Sequence, residues 1–168
     1  MAPGADHLAF LDSARTDERL GRYSVLAWSP ERVLRVRGSR VERREAGVWT
    51  SEEGSPFEAL RQARGAARAP ARADCPVPFV GGGIGYLSYD LCHWVERLPR
   101  TATDDLQLPE LYFCFYDRAL IYGHEAGRWW LVEADPESPL EQTREAVLER
   151  VRRSAAPPPL AEIPHRIL

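Results

Sequence analysis

The chain has 168 residues, enough for one domain with a real core, and its 44% apolar content is typical of a globular protein. The net charge of −3 argues against a general attraction to nucleic acid or to an anionic membrane, and the sequence contains no apolar run of about 18 residues. The three cysteines are widely spaced and include no C-x-x-C pair, which argues against a disulfide framework or a structural zinc site. We therefore expect a cytoplasmic protein with reduced thiols.

The first fifty residues predict an antiparallel meander of short strands. Gly38-Ser39 separates two apolar runs and suits a two-residue type II′ hairpin, and Gly47 provides a further turn. The predicted strands cover Leu8 to Leu11, Arg22 to Trp28, Val33 to Arg37 and Val41 to Arg43, and the chain resumes at Val48 and Trp49.

A helix is predicted from Ser55-Pro56-Phe57-Glu58, where serine can cap, proline suits the first helical position and Glu58 completes a capping box. Its buried stripe is predicted to consist of Phe57, Leu60 and Ala67. Residues 66–78, rich in alanine, proline and arginine, predict a surface connection.

The stretch from Pro78 to Asp90, PFVGGGIGYLSYD, has four glycines inside a strand-like apolar run. Clustered glycines in a strand indicate a close backbone approach, so we predict a central strand crossed by another layer, with a short helix from about Asp90. A phosphate cradle is the alternative, but the third glycine of a dinucleotide fingerprint is missing.

The second half of the chain predicts a strand from Leu111 to Tyr116 and then a hairpin, Ala119 to Tyr122 and Arg128 to Val132, around residues 123–127. A second capping box, Ser138-Pro139-Leu140-Glu141, starts a helix that continues to about Arg153, with a buried stripe of Leu140, Val147, Leu148 and Val151. The predicted fold class is α+β, with mostly antiparallel sheets and two to three packed helices. Residues 1–153 are predicted to form one domain and residues 154–168 a proline-rich tail.

No catalytic or metal-binding constellation emerges from the residue patterns. The histidines are scattered, and none has a second histidine or a cysteine at ligand spacing. The adjacent pairs Glu52-Glu53 and Asp104-Asp105 predict solvated charges in loops rather than acid–base pairs. We therefore assign no catalytic residue and no metal ligand, and expect no cofactor in this chain.

Several segments, in this order, resemble the N-terminal region of component I of the chorismate-using amidotransferase synthases. They are FLDS at 10–13, GRYS at 21–24, PFEAL at 56–60, FVGGGIGYLSYDL at 79–91, ERLP at 96–99, DDLQLP at 104–109 and YD at 116–117. Two members of the family compete. The Leu-Asp-Ser form at 11–13 and the GYLSYD motif look more like aminodeoxychorismate synthase component I, whereas anthranilate synthases usually carry Leu-Leu-Glu-Ser.

The resemblance implies a reaction and partners for the family. A glutamine amidotransferase subunit releases ammonia, and component I adds it to chorismate, with magnesium, to give 4-amino-4-deoxychorismate for para-aminobenzoate and folate synthesis. Chorismate and magnesium are held by a large C-terminal lobe, which the resemblance places beyond Leu168. This chain alone is therefore expected to be non-catalytic. A stand-alone amino-acid-binding or interaction module is the alternative from another class.

One ligand site is implied by the resemblance. Family members bind tryptophan at the N-terminal lobe, as a feedback inhibitor in anthranilate synthase and as a structural ligand in some aminodeoxychorismate synthases. The positions of this chain that match that site are Ser13, Leu20, Gly21, Arg22 and Tyr23. We expect the indole beside Tyr23, with Ser13 and backbone groups bonding the amino-acid head.

Overall fold

The computed structural model describes residues 7–12, 20–65, 75–99, 103–134 and 139–153. It comprises two compact units, residues 1–136 and residues 137–168. Among the described residues the elements are, in chain order, β1 (Ala9–Leu11), β2 (Tyr23–Ala27), β3 (Arg32–Arg37), β4 (Arg40–Glu45), β5 (Val48–Glu53), α1 (Pro56–Gly65), β6 (Gly82–Leu87), a 3-10 helix (Tyr89–Trp94), β7 (Leu111–Tyr116), β8 (Arg118–Gly123), β9 (Arg128–Glu133) and α2 (Leu140–Arg153). The α+β class with antiparallel sheets is confirmed.

Strands of the first unit form two antiparallel sheets. One has the order β1-β2-β8-β9 and the other the order β5-β4-β3-β7-β6. The expected single meander is therefore wrong, because β2 and β3 belong to different sheets. The change of sheet follows Ser29, whose φ of 51° is unusual for a residue other than glycine, and Pro30, which has no N–H to donate.

The hydrophobic core lies on both faces of the five-stranded sheet. On one face, Val33 and Cys114 pack with Val25 and Ile121 of the other sheet. On the opposite face, a second cluster includes residues of α1 and the 3-10 helix; its buried members are Leu34, Val36, Val41, Ala59, Leu91, Leu111 and Phe115. Burial on both faces explains why β7, LYFCFY, is a continuous apolar and aromatic run rather than an alternating one.

The predicted hairpins are confirmed. Arg37 pairs with Arg40 across Gly38-Ser39, and of these two turn residues only Gly38 has a positive φ, the type II′ arrangement. The β8–β9 hairpin closes at Gly123 and Arg128. Glu52 and Glu53, expected in a loop, instead lie in β5. The Glu52 carboxylate forms an ion pair with the Arg43 guanidinium of β4.

The glycine-rich stretch forms an edge strand, so the predicted central position is wrong. Among the described strands β6 ends the five-stranded sheet and pairs only with β7. The predicted close approach is present, but it is made by the neighbouring strand β7 of the same sheet and not by another layer. A Cβ at Gly83 would lie 3.1 Å from the Phe115 ring, and one at Gly85 would lie 2.7 Å from Phe113 Cα. The short helix follows at Tyr89, one residue before its predicted start.

Helix α1 begins at the predicted Pro56, and its predicted stripe is correct at Leu60, which packs against the core, but wrong at Phe57, which is exposed. Pro56 and Ala59 are buried instead. Glu58 accepts hydrogen bonds from Arg61 and Gln62 at the N-terminal end of the helix. Ala67 lies outside the described residues.

The connection before β6 does not lie entirely on the surface. Val77 is buried in the core and Cys75 packs against it. Residues 66–74 lie outside the described part of the chain, so the expected surface connection is corrected only for residues 75–78.

Helix α2 covers the predicted Leu140–Arg153, but its predicted buried stripe is wrong. None of its residues is buried, and Leu140, Leu148 and Val151 are exposed. Within its own unit a single described helix has no second element on which to bury an apolar face. Ser138 and the tail 154–168 lie outside the described residues. Neither α1 nor α2 combines the length and apolar content that a membrane crossing needs.

Candidate ligand-binding site

Tyr23 starts β2 at one end of the four-stranded sheet. The antiparallel pairing expected between β1 and β2 is present, with Leu11 opposite Val25. Asp12 therefore lies next to Ser24, whose hydroxyl donates to Asp12 Oδ1 at 2.5 Å. Ser24 is the one polar residue in the buried set of the described chain, at 5% exposure. The carboxylate satisfies a hydroxyl that would otherwise be costly to bury.

His124, in the turn after β8, forms hydrogen bonds to the start of β2. Its backbone N–H donates to the Arg22 carbonyl at 2.9 Å, and its Nε2 lies 2.8 Å from Ser24 Oγ. Because the single hydroxyl proton of Ser24 is directed to Asp12, Nε2 of His124 is the donor to the serine oxygen. The resulting Asp12–Ser24–His124 cluster holds β1, β2 and the β8–β9 turn together.

A cavity of about 370 Å³ opens beside this cluster. Tyr23 forms one wall, and its hydroxyl donates to the Pro76 carbonyl at 3.3 Å. The residues that line the cavity are Arg22, Tyr23, Pro76, Gly123, Glu125, Ala126 and Trp130. The volume lies at the lower end of the range of about 300–1,000 Å³ that small-ligand sites occupy.

Trp130 provides a second aromatic surface in the lining of the cavity. Its ring lies directly over Gly123: a Cβ there would come within 2.5 Å of Trp130 Cζ3. The Arg128 guanidinium lies 5.7 Å from the centre of the Trp130 ring, within cation–π range. Gly123 is therefore required for the indole ring of Trp130 to take this position.

Charges of both signs stand at the cavity. Arg22 Nη2 lies 3.2 Å from Glu125 Oε2, and both side chains are largely exposed. An exposed pair of this kind contributes little to stability, at most about 1 kcal/mol. The Arg22 guanidinium and the Glu125 carboxylate can therefore leave this ion pair and bind a ligand at small energetic cost. A guanidinium suits a carboxylate and a carboxylate suits an ammonium group, which together are the charges of an amino-acid head.

The five residues expected to bind tryptophan are only partly brought together. Arg22 and Tyr23 line the cavity. Gly21 precedes Arg22 in the chain but is not a lining residue; its φ of 71° is a left-handed conformation that glycine adopts without strain. Leu20 is 75% exposed and does not line the cavity, and Ser13 lies outside the described residues.

Five lining residues were not predicted: Pro76, Gly123, Glu125, Ala126 and Trp130. The last four reach the site because β2 pairs with β8, placing Tyr23 opposite Gly123. The signal for the residues of the β8–β9 hairpin was the glycine-containing loop 123–127 between two strand-like runs. That signal predicts a hairpin but not the strand on which it packs.

Two tyrosines of β7 bond to the segment before β1. The Tyr112 hydroxyl lies 2.5 Å from His7 Nδ1, and the Tyr116 hydroxyl donates to the His7 carbonyl at 2.6 Å. Burial raises the pKa of both phenols well above its ordinary value, and burial likewise raises the pKa of the Cys114 thiol between them. These groups are therefore neutral hydrogen-bonding and packing groups. Across the described ranges, no group of three or more His, Cys, Asp or Glu side chains could hold a metal ion.

The first unit therefore consists of two packed antiparallel sheets, with the Asp12–Ser24–His124 cluster and a small cavity at one end. The crystal structure of anthranilate synthase component I from Streptococcus pneumoniae TIGR4 has the same fold, with a TM-score of 0.64 over 87% of this chain and 32% of that chain, at 20% identity. No family model matches the chain.

Two curated relatives carry the comparison at the level of sequence. Anthranilate synthase component 1 of Acetivibrio thermocellus is 33% identical over 115 residues, covering 68% of this chain and 23% of the relative. Aminodeoxychorismate synthase component 1 of Bacillus subtilis (strain 168) is 28% identical over 132 residues, covering 79% of this chain and 27% of the relative. The chain thus spans about a quarter of their length. It corresponds to the N-terminal region of the anthranilate and aminodeoxychorismate synthase component I family.

Proposed function

We propose that the chain is the N-terminal region of an aminodeoxychorismate synthase component I. The observation that carries the choice is Asp12 in the Leu-Asp-Ser segment, the form that the sequence shares with the aminodeoxychorismate enzymes. The carboxylate of Asp12 bonds Ser24 and so has a structural role at this position. Relatives of both activities match the chain. Anthranilate synthase component I, with tryptophan as its feedback ligand, is therefore the second candidate.

In this proposal the chain works as part of a larger assembly. A chorismate-binding lobe would hold chorismate and magnesium, and a glutamine amidotransferase subunit would supply ammonia. The product would be 4-amino-4-deoxychorismate, the precursor of para-aminobenzoate in folate synthesis. We place the assembly in the cytoplasm, where its three free cysteines would stay reduced.

The cavity beside Tyr23 is proposed to bind tryptophan. Tyr23 and Trp130 present aromatic faces for an indole, and Arg22 and Glu125 present the charges for its amino-acid head. Ser13 is proposed to add a hydrogen bond to that head, as the family resemblance implies. Titration calorimetry with L-tryptophan on a complete component I protein that carries this region tests the site directly. No heat of binding at millimolar tryptophan would exclude it.

The isolated chain should not convert chorismate. The proposal puts every catalytic and magnesium-binding group in the remaining length of the protein, so the pure 168-residue chain should give no turnover with chorismate, ammonia and magnesium. Product formation is measured against a buffer blank and against the Bacillus subtilis relative as a positive control. Turnover of the pure chain above the blank would contradict the division of labour proposed here.

A further inference from the structure

His124 stands in the chain between two residues that line the cavity. Gly123 before it and Glu125 after it are both lining residues, whereas His124 itself is not. Of the turn residues 124–127, His124 is partly buried and the other three are exposed. His124 is therefore the residue through which this turn is anchored in the fold.

The two hydrogen bonds of His124 reach the residues on either side of Tyr23. Its backbone N–H donates to the Arg22 carbonyl at 2.9 Å, and its Nε2 donates to Ser24 Oγ at 2.8 Å. Tyr23, between these two acceptors, lines the cavity and pairs with Gly123. The bonds of His124 therefore fasten the turn to the stretch of β2 that forms the cavity wall.

The charged groups at the cavity depend on this backbone for their placement. The side chains of Arg22 and Glu125 are 46% and 80% exposed, and their ion pair is too weak to hold the turn by itself. Long exposed side chains lose rotamer freedom when they bind a ligand, so affinity is higher when the backbone already holds them at a suitable separation. The bonds of His124 act on the backbone that carries both side chains.

We propose that His124 is a positioning residue for the amino-acid head of the ligand, an inference that rests on the tryptophan site proposed above. Its Nε2 bond to Ser24 holds the turn so that Glu125 meets the ammonium group while Arg22 meets the carboxylate. His124 acts through the backbone of the turn and does not touch the ligand. Without this bond the turn moves away from β2, and ligand binding must restore the geometry at a cost in affinity.

Titration calorimetry with L-tryptophan, on a complete component I protein that carries this region, tests the role of Nε2. His124→Ala should lower the affinity about fivefold, the equivalent of one hydrogen bond of about 1 kcal/mol. His124→Gln should keep most of the affinity, because its amide nitrogen reaches the position of the imidazole Nε2. The shorter His124→Asn should not, so the contrast between these two variants decides even if the alanine variant does not fold.

Two further variants separate this bond from general effects on the fold. His93→Ala is the matched control, since it removes an imidazole from the 3-10 helix, away from the lining of the cavity, and should leave the affinity unchanged. In a Ser24→Ala background the Nε2 bond is already lost, so His124→Ala should weaken binding no further. Unchanged affinity in a folded His124→Ala variant, or equal affinities of the glutamine and asparagine variants, would overturn the proposal.

Indole-3-propionate tests which charge His124 positions, because this ligand has the carboxylate but no ammonium group for Glu125. His124→Ala should therefore weaken its binding by less than about twofold, against about fivefold for tryptophan. Equal losses for the two ligands would contradict the positioning of Glu125. An unaltered protein that does not bind tryptophan would overturn the proposed site and this inference with it. An unaltered protein and His124 variants that all bind tryptophan equally would overturn this inference alone.

Discussion

Gly85→Ala should lower the free energy of unfolding by about 3 kcal/mol, the upper part of the range for overpacked positions. An added Cβ would overlap the Tyr112 carbonyl oxygen and lie 2.7 Å from both Cα and Cγ of Phe113. The nearest of these atoms are backbone, so a side-chain rotation cannot relieve the contact and β6 must move away from β7. Urea unfolding followed by tryptophan fluorescence gives the free energy.

Gly65→Ala is the matched control for that substitution. Gly65 ends α1, and a Cβ at this position meets nothing within 4 Å. Alanine in place of glycine in a helix stabilises by at most about 1 kcal/mol, so this variant should be neutral or slightly more stable. If Gly85→Ala unfolds at the same urea concentration as the unaltered chain, the lateral approach of β6 to β7 is not as described.

Tyr23→Ala should weaken tryptophan binding more than tenfold in a complete component I protein that carries this region. It removes one of the two aromatic rings that line the cavity, together with the hydroxyl that bonds the Pro76 carbonyl. Ser13→Ala should cost about 1 kcal/mol, the typical net contribution of one hydrogen bond. Titration calorimetry measures both affinities.

Tyr122→Ala is the control for Tyr23→Ala. Tyr122 lies on the neighbouring strand β8, where its ring contacts His124 and Trp129, and it is not a lining residue of the cavity. It loses the same ring without changing the wall of the proposed site, so tryptophan affinity should stay near that of the unaltered protein. If the Tyr23 and Ser13 variants bind tryptophan as tightly as the unaltered protein, these two residues do not contribute to the proposed tryptophan site.

Local chemistry was enough to predict the hairpins and the helix starts. Gly38 supplies the positive φ that a type II′ turn needs, and Pro56 has the fixed φ that suits the first turn of a helix. Each of these signals acts between residues that are close in sequence. They survive in the structure because nothing distant competes with them.

Long-range pairing could not be predicted in the same way. Strand β2 pairs with β8, about a hundred positions later, and so brings Tyr23 opposite Gly123. The same pairing places Glu125 and Trp130 at the cavity, which no local pattern indicates. The edge position of β6 was missed for a related reason: an apolar, glycine-rich strand has the composition of an interior strand whether or not both neighbours are present.

The most direct test of the account is a chimera in which this chain replaces the matched region of the Bacillus subtilis aminodeoxychorismate synthase component 1. Its turnover of chorismate to 4-amino-4-deoxychorismate is measured with ammonia and magnesium, beside the same relative with that region deleted. We expect the chimera to form the product and the deleted protein to form none. A folded chimera without turnover would contradict the claim that this chain supplies the N-terminal region of a component I synthase.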